Sequence, residues 1–299
     1  MPLTHLLLAV LVAVIWGINF IFLRMGLDEM SPLLLCATRF MLASIPAIFF
    51  IKPPAIPFRI VIWYGLIMFA LQFALLFMGL YVGMTPGMAS LVMQVQVFFS
   101  MIFAAIVLQE RLNTPQILGA CTAFVGIIIV AMHFDKDISV LGFVCVLAAA
   151  ATWGMGNLIT KTMHDINIVS LIVWSSFVAF IPMLLFAMWF DSPQTILSIY
   201  YHLSWQGIIS LIYIVYLSTW VGYGLWNWLL THHPVGIVVP FTFLVPIVGI
   251  LSSVLFLGEP FYAWKFIAGM FVLTGLFIHW LSAYFTPTAE TSSGEKFTE

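Results

Sequence analysis

Residues 86–111 form an apolar stretch of membrane length that opens on Pro86-Gly87 and stops at Glu110-Arg111. The same plan returns from Pro234 to Glu259. Gly87 precedes Glu110 by 23 residues, and Gly236 precedes Glu259 by 23. Gly126 lies 16 residues beyond Glu110, and Gly275 lies 16 beyond Glu259. Two helices with the same end markers and spacing point to a chain made of two copies of one unit. Such a repeat fixes the architecture before any local detail does.

Only 7% of the 299 residues are charged and 64% are hydrophobic. A soluble domain carries about 25% charged residues, so this chain lacks the means to cover a surface facing water. The near-neutral net charge of −2 gives no sign of a nucleic-acid partner. Cys36, Cys121 and Cys145 fall inside apolar runs, where small buried residues are the ordinary reading rather than a disulfide or metal site. No cleavable leader is expected, because no Lys or Arg precedes a first apolar run long enough to remain as an anchor.

A span needs about 20 apolar residues. That rule gives ten: 5–23, 32–51, 60–82, 87–108, 116–133, 139–160, 168–189, 206–230, 236–257 and 264–284. Turn residues or charges separate them, as at Ser31-Pro32, Asn113-Thr114-Pro115 and His232-His233-Pro234. No sustained alternation suggests spanning strands. The expected fold is therefore an all-α integral membrane protein. Residues 286–299 are polar and read as a disordered cytoplasmic tail.

The repeat extends to the other end of each half. Trp16-Gly17 in span one matches Trp153-Gly154 in span six, and Arg24 and Lys161 follow at the same offset. Span two aligns with span seven. The second half holds about a dozen extra residues, placed in the loop 190–205. Residues 1–134 and 135–285 thus form two five-span units. Because five is odd, the second copy sits upside down in the membrane. Inverted repeats mark transporters whose substrate site lies near the midplane, where the halves meet. Lys52, Arg59, Arg111, Lys161 and Lys296 fall on the side of the termini, against Arg24, Lys136 and Lys265 opposite. That excess predicts cytoplasmic termini.

All eleven acidic residues lie at span ends, in loops or in the tail. Proton-coupled pumps commonly use a carboxylate at depth, so the pattern favours facilitated transport or exchange. Glu110 and Glu259 are the coupling candidates; as plain helix-end charges they would need no such role. Arg39 lies about two turns inside span two, where an arginine is costly although snorkelling lowers the penalty. It is either a cation holding a substrate carboxylate or a structural clamp between helices.

Asn19, Gln72, Gln94, Gln96, Asn157 and Asn227 are buried amides. Interhelical hydrogen bonds average only about 0.6 kcal/mol in membranes, so six exceed what stability requires. Trp16, Asn19 and Phe20 share a face of span one, and Trp153 and Asn157 share a face of span six. Tyr216, Trp220, Tyr223 and Asn227 make a stripe on span eight. Gln94 and Gln96 point about 200° apart on an α-helix, so only one is expected in a narrow cavity. Gln94, which shares a face with Ser90, is favoured. The candidate substrate cage is Trp16, Asn19, Phe20, Gln72, Ser90, Gln94, Trp153, Asn157, Tyr216, Tyr223 and Asn227, suited to a small zwitterionic or amphipathic solute. Packing or lipid-facing aromatics are the alternative for any one of them. Pro240 and Pro246 are expected to bend span nine as hinges.

Trp16-Gly-Ile-Asn-Phe, Arg39-Phe40, Ala89-Ser-Leu-Val-Met-Gln-Val-Gln, Glu110-Arg111, Gly222-Tyr-Gly-Leu-Trp and Leu244-Val-Pro-Ile-Val-Gly resemble the EamA family of the drug/metabolite transporter superfamily. The resemblance covers nearly the whole chain except the tail. It implies ten helices in two inverted EamA repeats, a bacterial inner-membrane location and cytoplasmic termini. It also implies a cavity lined by helices one, three, four, six, eight and nine. Arg39 lies outside that set, and its partner in the second copy is Ser176.

The expected function is secondary export of a small metabolite, with cysteine, O-acetylserine or a related amino acid foremost, by rocking of two half-bundles. Multidrug or other metabolite efflux is the alternative within the fold. A non-transporting sensor or assembly factor is the alternative of another class. An intramembrane enzyme is disfavoured, since His133 and His279 stand near span ends and no acidic pair faces inward. No phosphate-cradling glycine loop is present for ATP-driven pumping. No cofactor or metal is expected. The partners expected are a small-molecule substrate and the lipid bilayer, with the chain a monomer or weak homodimer.

Overall fold

The structure is a computed structural model that describes residues 1–109, 112–133, 138–161, 163, 166–233 and 238–285, with the backbone alone at 161, 227, 230, 231, 239, 240 and 282–285. Glu110, the tail 286–299 and the side chains of Asn227 and Pro240 therefore lie outside the described residues. Among the described residues, nine helices are long and apolar enough to cross a membrane. In chain order, helices one to four are Leu3–Leu27, Pro32–Phe49, Phe58–Tyr81 and Pro86–Val107. Helices five to eight are Thr114–Ala131, Val140–Thr160, Ile168–Asp191 and Trp205–Trp226. Helix nine, Phe241–Leu257, is a shorter apolar helix, and helix ten is Ala263–Leu281.

The breaks seen in the sequence act as helix starts. Ser31 caps helix two by accepting the Leu34 N–H, with Pro32 in the first turn. Asn113 and Gln116 form a reciprocal capping box at helix five, at 2.9 and 3.0 Å. Asn167 caps helix seven and Ser204 caps helix eight. Gly258, at φ 66°, stops helix nine in the left-handed conformation that glycine adopts without penalty. One expectation is corrected: the insert 190–205 holds a short helix, Pro193–Tyr201, capped by Ser192. The Tyr200 hydroxyl meets that of Thr38, so the insert touches helix two.

Helix one packs on nine and helix four on six. Helix three packs on six and helix eight on one, while two packs on seven, four on nine and five on ten. Exchanging helices one to five for six to ten leaves these pairings unchanged. Helices four and nine run antiparallel, since Gly87 lies against Ser253 and Ser90 against Gly249. Helices five and ten are antiparallel too, with Gly119 against His279 and Gly126 against Ala268. A Cβ on Gly126 would stand 2.7 Å from Ala268 O, and one on Gly275 would stand 2.4 Å from Gly119 O. The two glycines at matched positions in the sequence therefore serve one close helix crossing, the usual work of small residues between membrane helices.

Irregular turns also recur in register. Helix three winds as a π-helix over Gly65–Leu71, and helix eight does so over Tyr213–Gly222. Placing Gly87 on Gly236 places the first of these on residues 214–220. Helices four and nine carry 3-10 turns at Met93–Val95 and Val239–Phe243, which overlap under the same placement. π segments are rare and cluster at functional sites.

Candidate functional site

Three of the irregular turns, through Gln94, Ser218 and Thr242, line a cavity at the centre of the bundle, and Gln72 directly after the fourth lines it too. It has a volume of about 90 Å³, room for a few waters. Helix one contributes Trp16, Asn19 and Phe20, helix three Gln72 and helix eight Ser218 and Tyr223. Ser90, Gln94 and Gln96 reach it from helix four, Trp153 from helix six, Thr242 from helix nine, and Arg39 from helix two. A larger cavity of about 600 Å³ shares Trp16, Gln96, Trp153, Tyr223 and Thr242 with the first. It extends past Asn157 and Ser100 to the partly exposed Leu112, Gln116, Thr160 and Ile168. Those residues lie at the C-terminal ends of helices four and six and the N-terminal ends of five and seven. The larger cavity is thus a vestibule at the end of the bundle where helix one begins.

The opposite end is tied shut. Glu29 accepts hydrogen bonds from the Ser204 hydroxyl and from the Ser204 N–H, the latter at 2.9 Å. Asp191 accepts from the Ser31 hydroxyl. Glu259 accepts from the Gly87 N–H at 3.3 Å. Each of these carboxylates reaches the start of a helix in the other half, where the helix dipole favours negative charge. Burial holds the Glu259 carboxyl above the usual carboxylate range, with the Gly87 N–H pulling it down.

Around the small cavity the polar groups are unevenly satisfied. Trp16 Nε1 donates to Ser218 O at 3.1 Å, and its ring tilts against Tyr223 with centroids 5.3 Å apart. Asn157 Nδ2 donates to Gln96 Oε1 at 2.7 Å and to Ser100 Oγ at 3.0 Å, joining helix six to helix four. Arg39 Nη2 donates to Thr219 Oγ1 at 3.1 Å, and the guanidinium lies 4.1 Å from the Phe73 ring centroid. Arg39 Nε and Nη1, both amide atoms of Gln72 and Oδ1 of Asn19 are buried with no hydrogen-bond partner. In a membrane interior such groups are expensive.

The structure brings together Trp16, Asn19, Phe20, Gln72, Ser90, Gln94, Trp153 and Tyr223 in the small cavity and places Asn157 on the vestibule. It corrects the expectation that only one of Gln94 and Gln96 faces inward. Both line the small cavity, because the 3-10 turn Met93–Val95 breaks the α-helical rotation between them. Tyr216 is 47% exposed and lines neither cavity. The π segment shifts the register of helix eight, so the stripe running from Tyr216 to Tyr223 splits. Arg39 lines the small cavity from helix two, outside the set of helices that the resemblance implies. Pro246 sits in the first turn of the α-helical part of helix nine, where a missing N–H costs little, rather than at an interior bend. Pro182 lies in the interior of helix seven. Thr219 and Ser218 escaped the sequence reading, since a hydroxyl in an apolar run gives no signal of its own.

The model of the EamA-like transporter family matches residues 3–132 and again residues 140–281. The chain belongs to the EamA-like transporter family. Among EamA relatives, a probable amino-acid metabolite efflux pump of Escherichia coli (strain K12) is 36% identical over 278 residues, covering 91% of this chain and 93% of the relative. A pump of the same description from Salmonella typhimurium (strain LT2) is also 36% identical over 278 residues. An uncharacterized transporter of Bacillus subtilis (strain 168) is 22% identical over 279 residues, covering 90% of this chain and 94% of its own length. One solved structure, described as the crystal structure of a protein, matches with a TM-score of 0.61 at 14% identity over 95% of this chain and 99% of that one, which shows the fold alone. The EamA chain is thus a multi-pass membrane protein with the fold of a transporter family.

Proposed function

We propose that the protein is a secondary transporter that exports small amino-acid metabolites, cysteine and O-acetylserine foremost, across the bacterial inner membrane by alternating access. The observation that carries this is the central cavity, lined by amides, aromatics and Arg39, which shares five lining residues with a vestibule at one end and lies below carboxylate ties at the other. The relatives described as amino-acid metabolite efflux pumps support the substrate class. The unchanged helix pairings and antiparallel self-pairs support two inverted five-helix repeats, 1–134 and 135–285, meeting at the cavity. With both termini cytoplasmic, the vestibule faces the cytoplasm, the loading state of an exporter. Rocking of the halves would break the carboxylate ties of Glu29, Asp191 and Glu259 and close the vestibule. Trp16, Asn19, Phe20, Gln72, Ser90, Gln94, Trp153, Asn157 and Tyr223 would then hold the solute.

The test is counterflow in proteoliposomes loaded with unlabelled cysteine or O-acetylserine, with labelled solute outside. Transient accumulation of label supports amino-acid exchange. Its absence, with folded protein in the bilayer, overturns that substrate class. The aromatic wall of Trp16, Phe20, Phe73, Trp153 and Tyr223 favours a second reading, efflux of larger apolar compounds, which the same liposomes test with a lipophilic cation.

A further inference from the structure

Arg39 is 2% exposed in a membrane-crossing helix, yet only one of its three guanidinium nitrogens has a partner. That partner is fixed from elsewhere. Thr219 Oγ1 donates at 2.8 Å to Ile214 O, five residues back, a bond that the π-helical winding makes available. The hydroxyl's lone pairs are then left for Arg39, and the ring of Phe73 supports the guanidinium plane. The cation is held at one edge, and Nε and Nη1 stay buried without a partner beside the small cavity that Arg39 lines. A merely structural arginine would be expected to spend these donors on carbonyls of neighbouring helices.

The rest of the cavity is neutral. Among the described residues no Asp or Glu lines it or the vestibule. Asn19 Oδ1 and Gln72 Oε1 are unpaired acceptors, and Gln72 Nε2 is an unpaired donor. A buried cation with idle donors is complemented by a carboxylate, through charge-assisted hydrogen bonds that are about twice as strong as neutral ones. An ammonium group finds only neutral acceptors and aromatic faces there, beside a fixed positive charge.

We propose that Arg39, positioned by Thr219, anchors the carboxylate of the solute, and that the site selects for a carboxylate while dispensing with the amino group. This deepens the export reading and rests on it for the location of the site. Small monocarboxylic acids, amino acids among them, would bind; esters and amines of the same shape would not.

The test is binding to the full-length protein in lipid nanodiscs, read by calorimetry. The probes are 3-mercaptopropionate, cysteine, cysteine methyl ester and cysteamine. The acid 3-mercaptopropionate should bind, with the ester and the amine weaker by about tenfold or more, the scale of a charged hydrogen bond. Arg39→Gln should weaken the acid by about tenfold or more and leave the ester unchanged. Thr219→Val should weaken acids alone by a smaller factor, a selectivity that a general packing defect would not show. Should Arg39→Gln fail to fold, Arg39→Lys and the acid–ester comparison on the unaltered chain carry the test. No binding of 3-mercaptopropionate, or an ester that binds within about twofold of cysteine, overturns the anchor. Binding of 3-mercaptopropionate without cysteine upholds the anchor and removes the amino-acid reading, so the two failures are distinguishable.

Discussion

Alanine at Gly275 tests the crossing of helices five and ten. The added Cβ would stand 2.4 Å from Gly119 O, 2.7 Å from Ala123 N and 2.8 Å from Ala123 Cβ. Two of these atoms are backbone and cannot swing away, so the helices must part by about 1 Å. A gap of that size forfeits roughly a quarter to a half of the dispersion energy of the atoms it separates. Overpacking of this kind costs about 1–3 kcal/mol. Against it stands the better helix propensity of alanine, about 1 kcal/mol. Gly269, on the same helix, has nothing within 4 Å of its Cβ position, so Gly269→Ala has the propensity gain without the clash. Comparing the two variants cancels propensity and leaves the clash. Reversible unfolding in detergent micelles should place Gly275→Ala about 1–3 kcal/mol below Gly269→Ala. Equal stabilities, within about 0.5 kcal/mol, would refute the close crossing.

Further outcomes follow from the same geometry. Asn157→Ala removes the bonds to Gln96 and Ser100; it should lower flux in the counterflow assay while costing only about 1 kcal/mol of stability. Trp16→Phe loses the bond to Ser218 O and keeps most of the ring, so flux should fall with expression unchanged in membrane fractions. Glu259 has a raised folded-state pKa, so the folded chain holds its proton more tightly than the unfolded one. Its contribution is therefore fully present below the ordinary carboxylate value and is lost as pH rises through the raised one. Unfolding midpoints compared between about pH 4 and pH 7 should show that decline, and Glu259→Gln should flatten it.

Much of the architecture was legible because several of the repeat markers have a packing job. Gly87 and Glu259, read as end markers of separate copies, touch each other across the halves. Gly126 and Gly275, found at the same interval beyond each glutamate, lie on the two helices of one crossing. Trp16 and Trp153, matched by the repeat, line one cavity. What escaped depends on winding. An α-helical period places Gln96 away from Gln94 and Tyr216 beside Tyr223, whereas the 3-10 and π turns bring Gln96 in and turn Tyr216 out. Nothing local in residues 65–71 or 213–222 announces such a turn. The inward position of Arg39 depends on Thr219, 180 residues away, so the sequence left clamp and ligand equally open.

Transport by alternating access requires one cavity that is closed at alternate ends, and thiol accessibility tests this most directly. In a chain with Cys36, Cys121 and Cys145 replaced by alanine, Ser100→Cys reports the vestibule, and Ser253→Cys, fully buried beside Gly87, reports the sealed end. A membrane-impermeant maleimide is applied from each side in turn, with and without cysteine. The predicted result is labelling of Ser100→Cys from the side of the termini at rest. Ser253→Cys should label from the opposite side only when solute is present, with a matching fall at Ser100→Cys. Labelling at Ser253→Cys without solute, or rates at both positions that solute leaves unchanged, would contradict alternating access through this cavity.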